Sequence, residues 1–129
     1  MPAYQHVSRV ITIHIRKAKP RAYLIDVTPD SAEVIETDVV RWEVQGAPPG
    51  VQVGLGNITQ LDSPAGVRAI GAKWSIPKPK TIAPARLKRH GSNIVLTTRT
   101  GDMGYYKYDV LFNGTSVLDP DIEIKGKPG

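Results

Sequence analysis

A chain of 129 residues with 17 Lys and Arg against 12 Asp and Glu is long enough to bury one sizeable core and reads as a single domain, 1–129. Eleven prolines and twelve glycines, with little Ala or Leu in helical spacing, favour an all-β chain with many turns. The absence of cysteine excludes disulfides, iron–sulfur clusters, thiolate-ligated zinc and a cysteine nucleophile.

Val10 to Arg16 alternates, with Ile11, Ile13 and Ile15 on one face and Thr12 and His14 on the other, which predicts a half-buried strand. A basic connection broken by Pro20 leads to a second strand, Ala22 to Val27. Pro29-Asp30-Ser31 marks a turn. Glu33 to Glu36 reads as a short third strand, and Val39 to Val44 as a fourth, with Val40, Trp42 and Val44 inward. Gly46 to Gly50, which holds Pro48 and Pro49, is a loop with room to project, and Val51, Val53 and Leu55 open the next strand.

Residues 56–92 read as a long irregular excursion. Within it, Val67 to Ile76 suits a strand anchored by Trp74, and Ala85 to His90 suits one helical turn. Asn93 to Thr98 is a strand. From Gly104 the chain alternates with Tyr106, Tyr108, Val110 and Phe112 on one face, turns at Asn113-Gly114 and alternates again. Asn-Gly between two alternating runs is the strongest short hairpin signal. Many short strands between turn signals predict a single Greek-key β-sandwich. Asp102 to Tyr106 has the spacing of a tyrosine corner, and Trp42 suits the large anchor of such a core.

Val27 to Val44 resembles the opening of cupredoxins. There a proline-containing turn precedes a short strand, and an acidic residue then leads a strand carrying an aromatic: here Pro29, Val34, Asp38, Val40 and Trp42. Gly104 to Val110 resembles the late strand that ends at their copper site. The resemblance implies a cupredoxin-like sandwich, with an immunoglobulin-like one as the competing topology, since the tyrosine corner occurs there too. Blue copper takes a cysteine thiolate, two histidines and usually a weak methionine. The position matching the cysteine is Val110, that matching the following histidine is Asn113, and the Pro48-Pro49-Gly50 region has no histidine. That chemistry excludes blue-copper electron transfer. The chain is similar instead to small bacterial proteins with a copper-less cupredoxin-like domain. These close with a Tyr-rich strand and an Asp-Pro strand, as Leu118-Asp119-Pro120 to Ile124 does here. Their function is unassigned, so the resemblance implies a fold and no activity.

Charge falls in blocks. Residues 1–25 carry five bases and no acid, 26–62 seven acids and one base, 63–100 eight bases and no acid, and the remainder five acids and three bases. Such blocks either pair between neighbouring strands, which we favour, or leave a basic surface for polyanions. The candidate polyanion-binding residues are Lys78, Lys80, Arg86, Lys88 and Arg89, set in a stretch without acids. The bland alternative is a solvated loop pairing with the acidic block at 26–62.

His6, His14 and His90 form no close ligand pair, so no metal and no cofactor is expected. Asp119, Asp121 and Glu123 share a strand face, read as a solvated face at a sheet edge rather than a calcium site. There is no Gly-x-Ser-x-Gly elbow, and Gly54-Leu55-Gly56 lacks the third glycine and the helix of a dinucleotide fingerprint. We therefore expect no enzyme. The expected function is a non-catalytic interaction or scaffold module that self-associates or docks a partner protein. Binding of nucleic acid or another polyanion through residues 78–89 is the alternative. Met1 to Arg9 holds no apolar core of signal-peptide length, and no run approaches the ~20 apolar residues that span a membrane. A cytoplasmic protein without membrane insertion is expected.

Overall fold

A computed structural model describes residues 7–19, 22–61 and 81–126. The strands are β1 (Val7–Lys19), β2 (Ala22–Thr28), β3 (Ser31–Ile35), β4 (Val39–Gln45), β5 (Val53–Leu61) and β6 (Thr81–Ile82). They continue with β7 (Leu87–His90), β8 (Asn93–Thr97), β9 (Gly104–Phe112), β10 (Thr115–Leu118) and β11 (Asp121–Lys125). One 3-10 turn, Pro84–Arg86, precedes β7.

These strands form two sheets in a sandwich-like, all-β arrangement. The first has the order β2-β1-β4-β8-β7; the second has β3-β11-β9-β5-β6, with β10 also paired to β9. Both sheets are mixed. β1 runs parallel to β4 and β3 parallel to β11, while the other pairs are antiparallel.

The alternation in the sequence places the core where expected. Ile11, Ile13, Ile15, Val40 and Trp42 come from one sheet, and Tyr106, Tyr108, Val110, Ile122 and Ile124 from the other; all are buried. Trp42 and Tyr108 meet edge to face with ring centroids 5.5 Å apart, joining the two sheets at their centre. At Asn113-Gly114 both residues have positive φ, 50° and 83°, the signature of a primed hairpin turn. Gly46 also has positive φ, 81°, and a Cβ there would collide with the Ile15 carbonyl oxygen, so the turn after β4 requires glycine.

Three sequence expectations change. Residues 56–61 continue β5, and the chain is back in the sheets at β6 and β7, so the excursion read at 56–92 is regular at both ends. Leu87 to His90 is a strand pairing with β8, not part of a helical turn; only Pro84 to Arg86 turns. The free edge of β8 supplies partners for four residues at once, and tertiary pairing overrides a weak local preference. Third, β11 lies inside its sheet between β9 and β3, so its carboxylates are not on an edge strand. The Val67 to Ile76 strand and Trp74 lie outside the described residues.

Two tyrosines on one strand face differ in chemistry. The Tyr106 hydroxyl donates to the Asp102 carbonyl at 2.6 Å, completing the tyrosine corner. The Tyr108 hydroxyl is buried with no hydrogen-bond partner among the described residues, and so is the Trp42 indole nitrogen. Burial pushes the Tyr108 phenol up to about 12. The nearby Trp42 N–H opposes this shift, and the Asp121 and Asp30 carboxylates add to it.

Trp42→Ala should cost roughly 3–5 kcal/mol by opening a cavity, measured as a urea midpoint. Tyr106→Phe should cost about 1 kcal/mol, whereas Tyr108→Phe should be neutral or stabilising near pH 7, because it removes an unpartnered buried hydroxyl. The Tyr108 phenol is raised in the folded state. Its contribution is therefore complete below the unfolded value of about 10 and lost as pH rises towards about 12. Tyr108→Phe should flatten the alkaline arm of the stability profile over that window; an unchanged arm would contradict the assignment.

Candidate functional site

Of the five candidate cations, Lys78 and Lys80 lie outside the described residues. The other three sit on the 3-10 turn and β7, and they divide into different roles.

Arg86 is structural. Its Nη1 donates to Asp102 Oδ1 at 3.0 Å and its Nη2 to Asp102 Oδ2 at 2.6 Å and to the Thr97 carbonyl at 3.2 Å. The side chains are only 16% and 14% exposed, so this bidentate pair is shielded from water. Asp102 Oδ2 also accepts the Arg99 N–H at 2.7 Å. Burial pushes the Asp102 carboxyl up, but the hydrogen bonds from Arg86 and Arg99 and their charges outweigh it and hold the group below the usual carboxylate value. Arg86 thus pairs with the C-terminal part of the chain, not with the acidic block at 26–62.

Arg89 spans the gap between the sheets. Its Nη2 donates to the Val53 carbonyl of β5 at 2.7 Å. The register explains why that carbonyl is free. Gln52 exchanges hydrogen bonds with Asn113, through its carbonyl at 2.8 Å and its N–H at 2.9 Å. In an antiparallel pair the bonding residues alternate, so Val53 and Leu55 aim their backbone groups away from β9. Among the described residues β6 pairs with β5 only at Ile58 and Thr59. Among the described residues Val53 to Gly56 is therefore a strand edge without a pairing strand, with Arg89 capping one carbonyl.

A groove follows this edge. One hollow of about 340 Å³ is bordered by Val44, Ala47, Val51 and Arg89. A second of about 190 Å³ lies between Leu55, Pro84, Leu87 and Arg89. Arg89 is the one charged residue lining either among the described residues. Lys88 and His90 are exposed beside it on the edge strand β7. The Gly46 to Gly50 loop contributes Ala47 to the rim.

The opposite side of the sandwich is acidic. A hollow of about 350 Å³ is bordered by Asp26, Asp30, Asp119 and Asp121, from β2, the β2–β3 turn and the start of β11. Asp26 pairs loosely with Arg16 at 3.7 Å and Asp119 with Lys107 at 3.9 Å, all well exposed. Among the described residues no group of three or more His, Asp or Glu has the arrangement of a metal site. His14 and His90 are exposed on separate strands, and His6 lies outside the described residues.

Of the two positions matched to copper ligands, one holds a packing residue and the other an exposed turn residue. Val110 is 1% exposed in the core, and Asn113 Oδ1 and N–H are both engaged with Gln52. Sequence reading missed the groove because β7 looked helical. The one available signal was the acid-free run at 63–100, which marks a positive edge without saying which cations are free.

No protein-family model matches the chain, and no curated protein matches it in sequence.

The Asp102 pKa is depressed in the folded state, so its contribution is present above the unfolded value and lost as pH falls through the lower folded value. Asp102→Asn should cost about 2–3 kcal/mol at neutral pH, since it leaves a shielded guanidinium without its counter-charge. The gap from wild type should narrow as pH drops below about 4. Urea midpoints across an acid series measure this, and a constant gap would show that the ionised carboxylate contributes nothing.

Proposed function

We propose that the chain is a non-catalytic interaction module on a cupredoxin-like sandwich that lacks the copper ligands, with Val110 in the core and Asn113 in a turn. The observation that carries the reading is the groove beside the edge of β5 that no described strand pairs, with Val44, Val51, Leu55 and Leu87 among its walls and Arg89 as the one cation among its described lining residues. Exposed strand edges with apolar pockets beside them are natural docking surfaces, because backbone pairing gives affinity and pockets give selectivity. The cupredoxin-like fold is supported by the Pro29 turn between β2 and β3, by Asp38 closing the β3–β4 turn on the Ile35 N–H at 3.2 Å, and by Trp42 and Val40 in the core.

The polyanion alternative loses two of its cations to internal bonds, Arg86 to Asp102 and Arg89 to Val53. Lys88 keeps a free, exposed position among those described.

The test compares wild type with Ala47→Trp, which fills the rim of the groove from an exposed position. Binding partners recovered by chemical cross-linking should disappear in the variant at unchanged melting temperature. On a heparin column the wild type should elute at modest salt. Strong retention that falls steeply with salt, and is lost when Lys78, Lys80, Arg86, Lys88 and Arg89 are neutralised, would favour the polyanion reading instead.

A further inference from the structure

We propose that the occupant of the Arg89 groove is a second copy of this chain, which enters with the acidic side of its own sandwich. The inference rests on the reading of the groove as a docking site.

The argument is one of complementarity between two surfaces of the same molecule. β2 and β7 are the two outer strands of one sheet, at opposite ends of the order β2-β1-β4-β8-β7. In the other sheet β3 and β11 lie on the β2 side and β5 and β6 on the β7 side. The β7 side carries the exposed Lys88, Arg89 and His90; of these Arg89 lines both hollows, and neither hollow is lined by an acid. The β2 side presents Asp26, Asp30, Asp119 and Asp121 around its own hollow, with no base among the lining residues. Arg16 and Lys107 are the counter-charges there, and their contacts with Asp26 and Asp119 are long and solvated. Pairs of that kind contribute little and can be exchanged for others.

An apolar contact accompanies the charges. Leu24 on the outer strand β2 is 50% exposed. The groove on the other side is walled by Val51, Leu87 and Ile94. Leu24, two residues from Asp26 and opposite Arg16 on β1, would meet these apolar side chains, with the Arg89 guanidinium placed to exchange its carbonyl partner for a carboxylate. The two surfaces are different parts of the molecule, so the contact is head to tail. Such a contact leaves one free donor surface and one free acceptor surface after each addition, and so it grows into open chains rather than closing as a symmetric dimer.

The experiment is sedimentation velocity on the purified chain over a concentration series, at low and high salt. Wild type should associate progressively, with an average mass that rises without reaching a dimer plateau, and it should dissociate as salt screens the contact. Two variants each neutralise one surface: Asp30→Asn with Asp119→Asn, and Lys88→Gln with Arg89→Gln. Each alone should associate at least about tenfold more weakly, the first at a melting temperature near wild type and the second at a somewhat lower one, since it gives up the Arg89 bond to Val53. A third variant, Lys88→Gln alone, leaves the Arg89 bond to Val53 intact and guards against loss of fold. Mixed together, the two double variants should form one-to-one complexes that stop growing, because each retains the surface the other lacks.

A wild type that stays monomeric at low salt overturns the proposal. So does a closed symmetric dimer, or association that neither variant weakens. If wild type is monomeric while cross-linked partners still disappear on Ala47→Trp, the groove is a docking site for another protein. The second-copy inference then fails by itself.

Discussion

The bidentate contact between Arg86 and Asp102 ties the sandwich together where its two sheets must change partners. Asp102 belongs to the turn that carries the chain from β8 in one sheet to β9 in the other. Its carboxylate receives Arg86 and the Arg99 N–H, while its carbonyl receives the Tyr106 hydroxyl from the core. Around it, the Gly101 N–H donates to Glu36 at 2.6 Å, and Thr98 donates to the Asp38 carbonyl at 2.7 Å. The β3–β4 turn, the β8–β9 turn and the entrance to β7 therefore share one polar knot. The Arg86, Thr98 and Tyr106 bonds are partly shielded from water, which strengthens them and makes an orphaned member costly.

Fixing the 3-10 turn has a consequence further along. Arg86 anchors the start of β7, and β7 then runs along β8 in fixed register, Leu87 against Leu96 and Arg89 against Ile94. That register holds Arg89 close enough to reach across to Val53. The groove is the space between two sheet edges that, among the described residues, are bridged by the Arg89 side chain. The cation that stabilises the structure and the cation that marks the candidate site are three residues apart, and the first positions the second.

The second sheet shows a related economy of chemistry. β9 carries Tyr106, Tyr108 and Val110 inward, and its far end is pinned through Asn113 to Gln52. Tyr106 satisfies its hydroxyl, whereas Tyr108 and Trp42 meet with theirs unpartnered among the described residues. The aromatic contact between them and their large buried surface outweigh that polar loss. Charge is then left to the rims. Arg16 of the first basic block pairs with Asp26 of the acidic block across β1 and β2, while the hollow beside β2 is lined by acids and the hollows beside β7 by Arg89.

The sequence by itself determined the strand class, the inward faces of β1, β4 and β9, the Asn113-Gly114 turn and the tyrosine corner. Each of these is local. Side-chain alternation has period two, the hairpin turn needs positive φ, and the corner spans four residues, so all can be read within a short window. The closing strands were legible for the same reason, but the place of β11 between β9 and β3 was not, because neighbours in a sheet are chosen by long-range pairing. The roles of Arg86, Lys88 and Arg89 were likewise decided only by tertiary structure. In the sequence they are equivalent cations in one basic run. In the fold, one meets Asp102, one faces solvent and one meets a carbonyl on the other sheet. Register and sheet order set those partners, and both follow from how distant strands bury their apolar faces together, which no local window records.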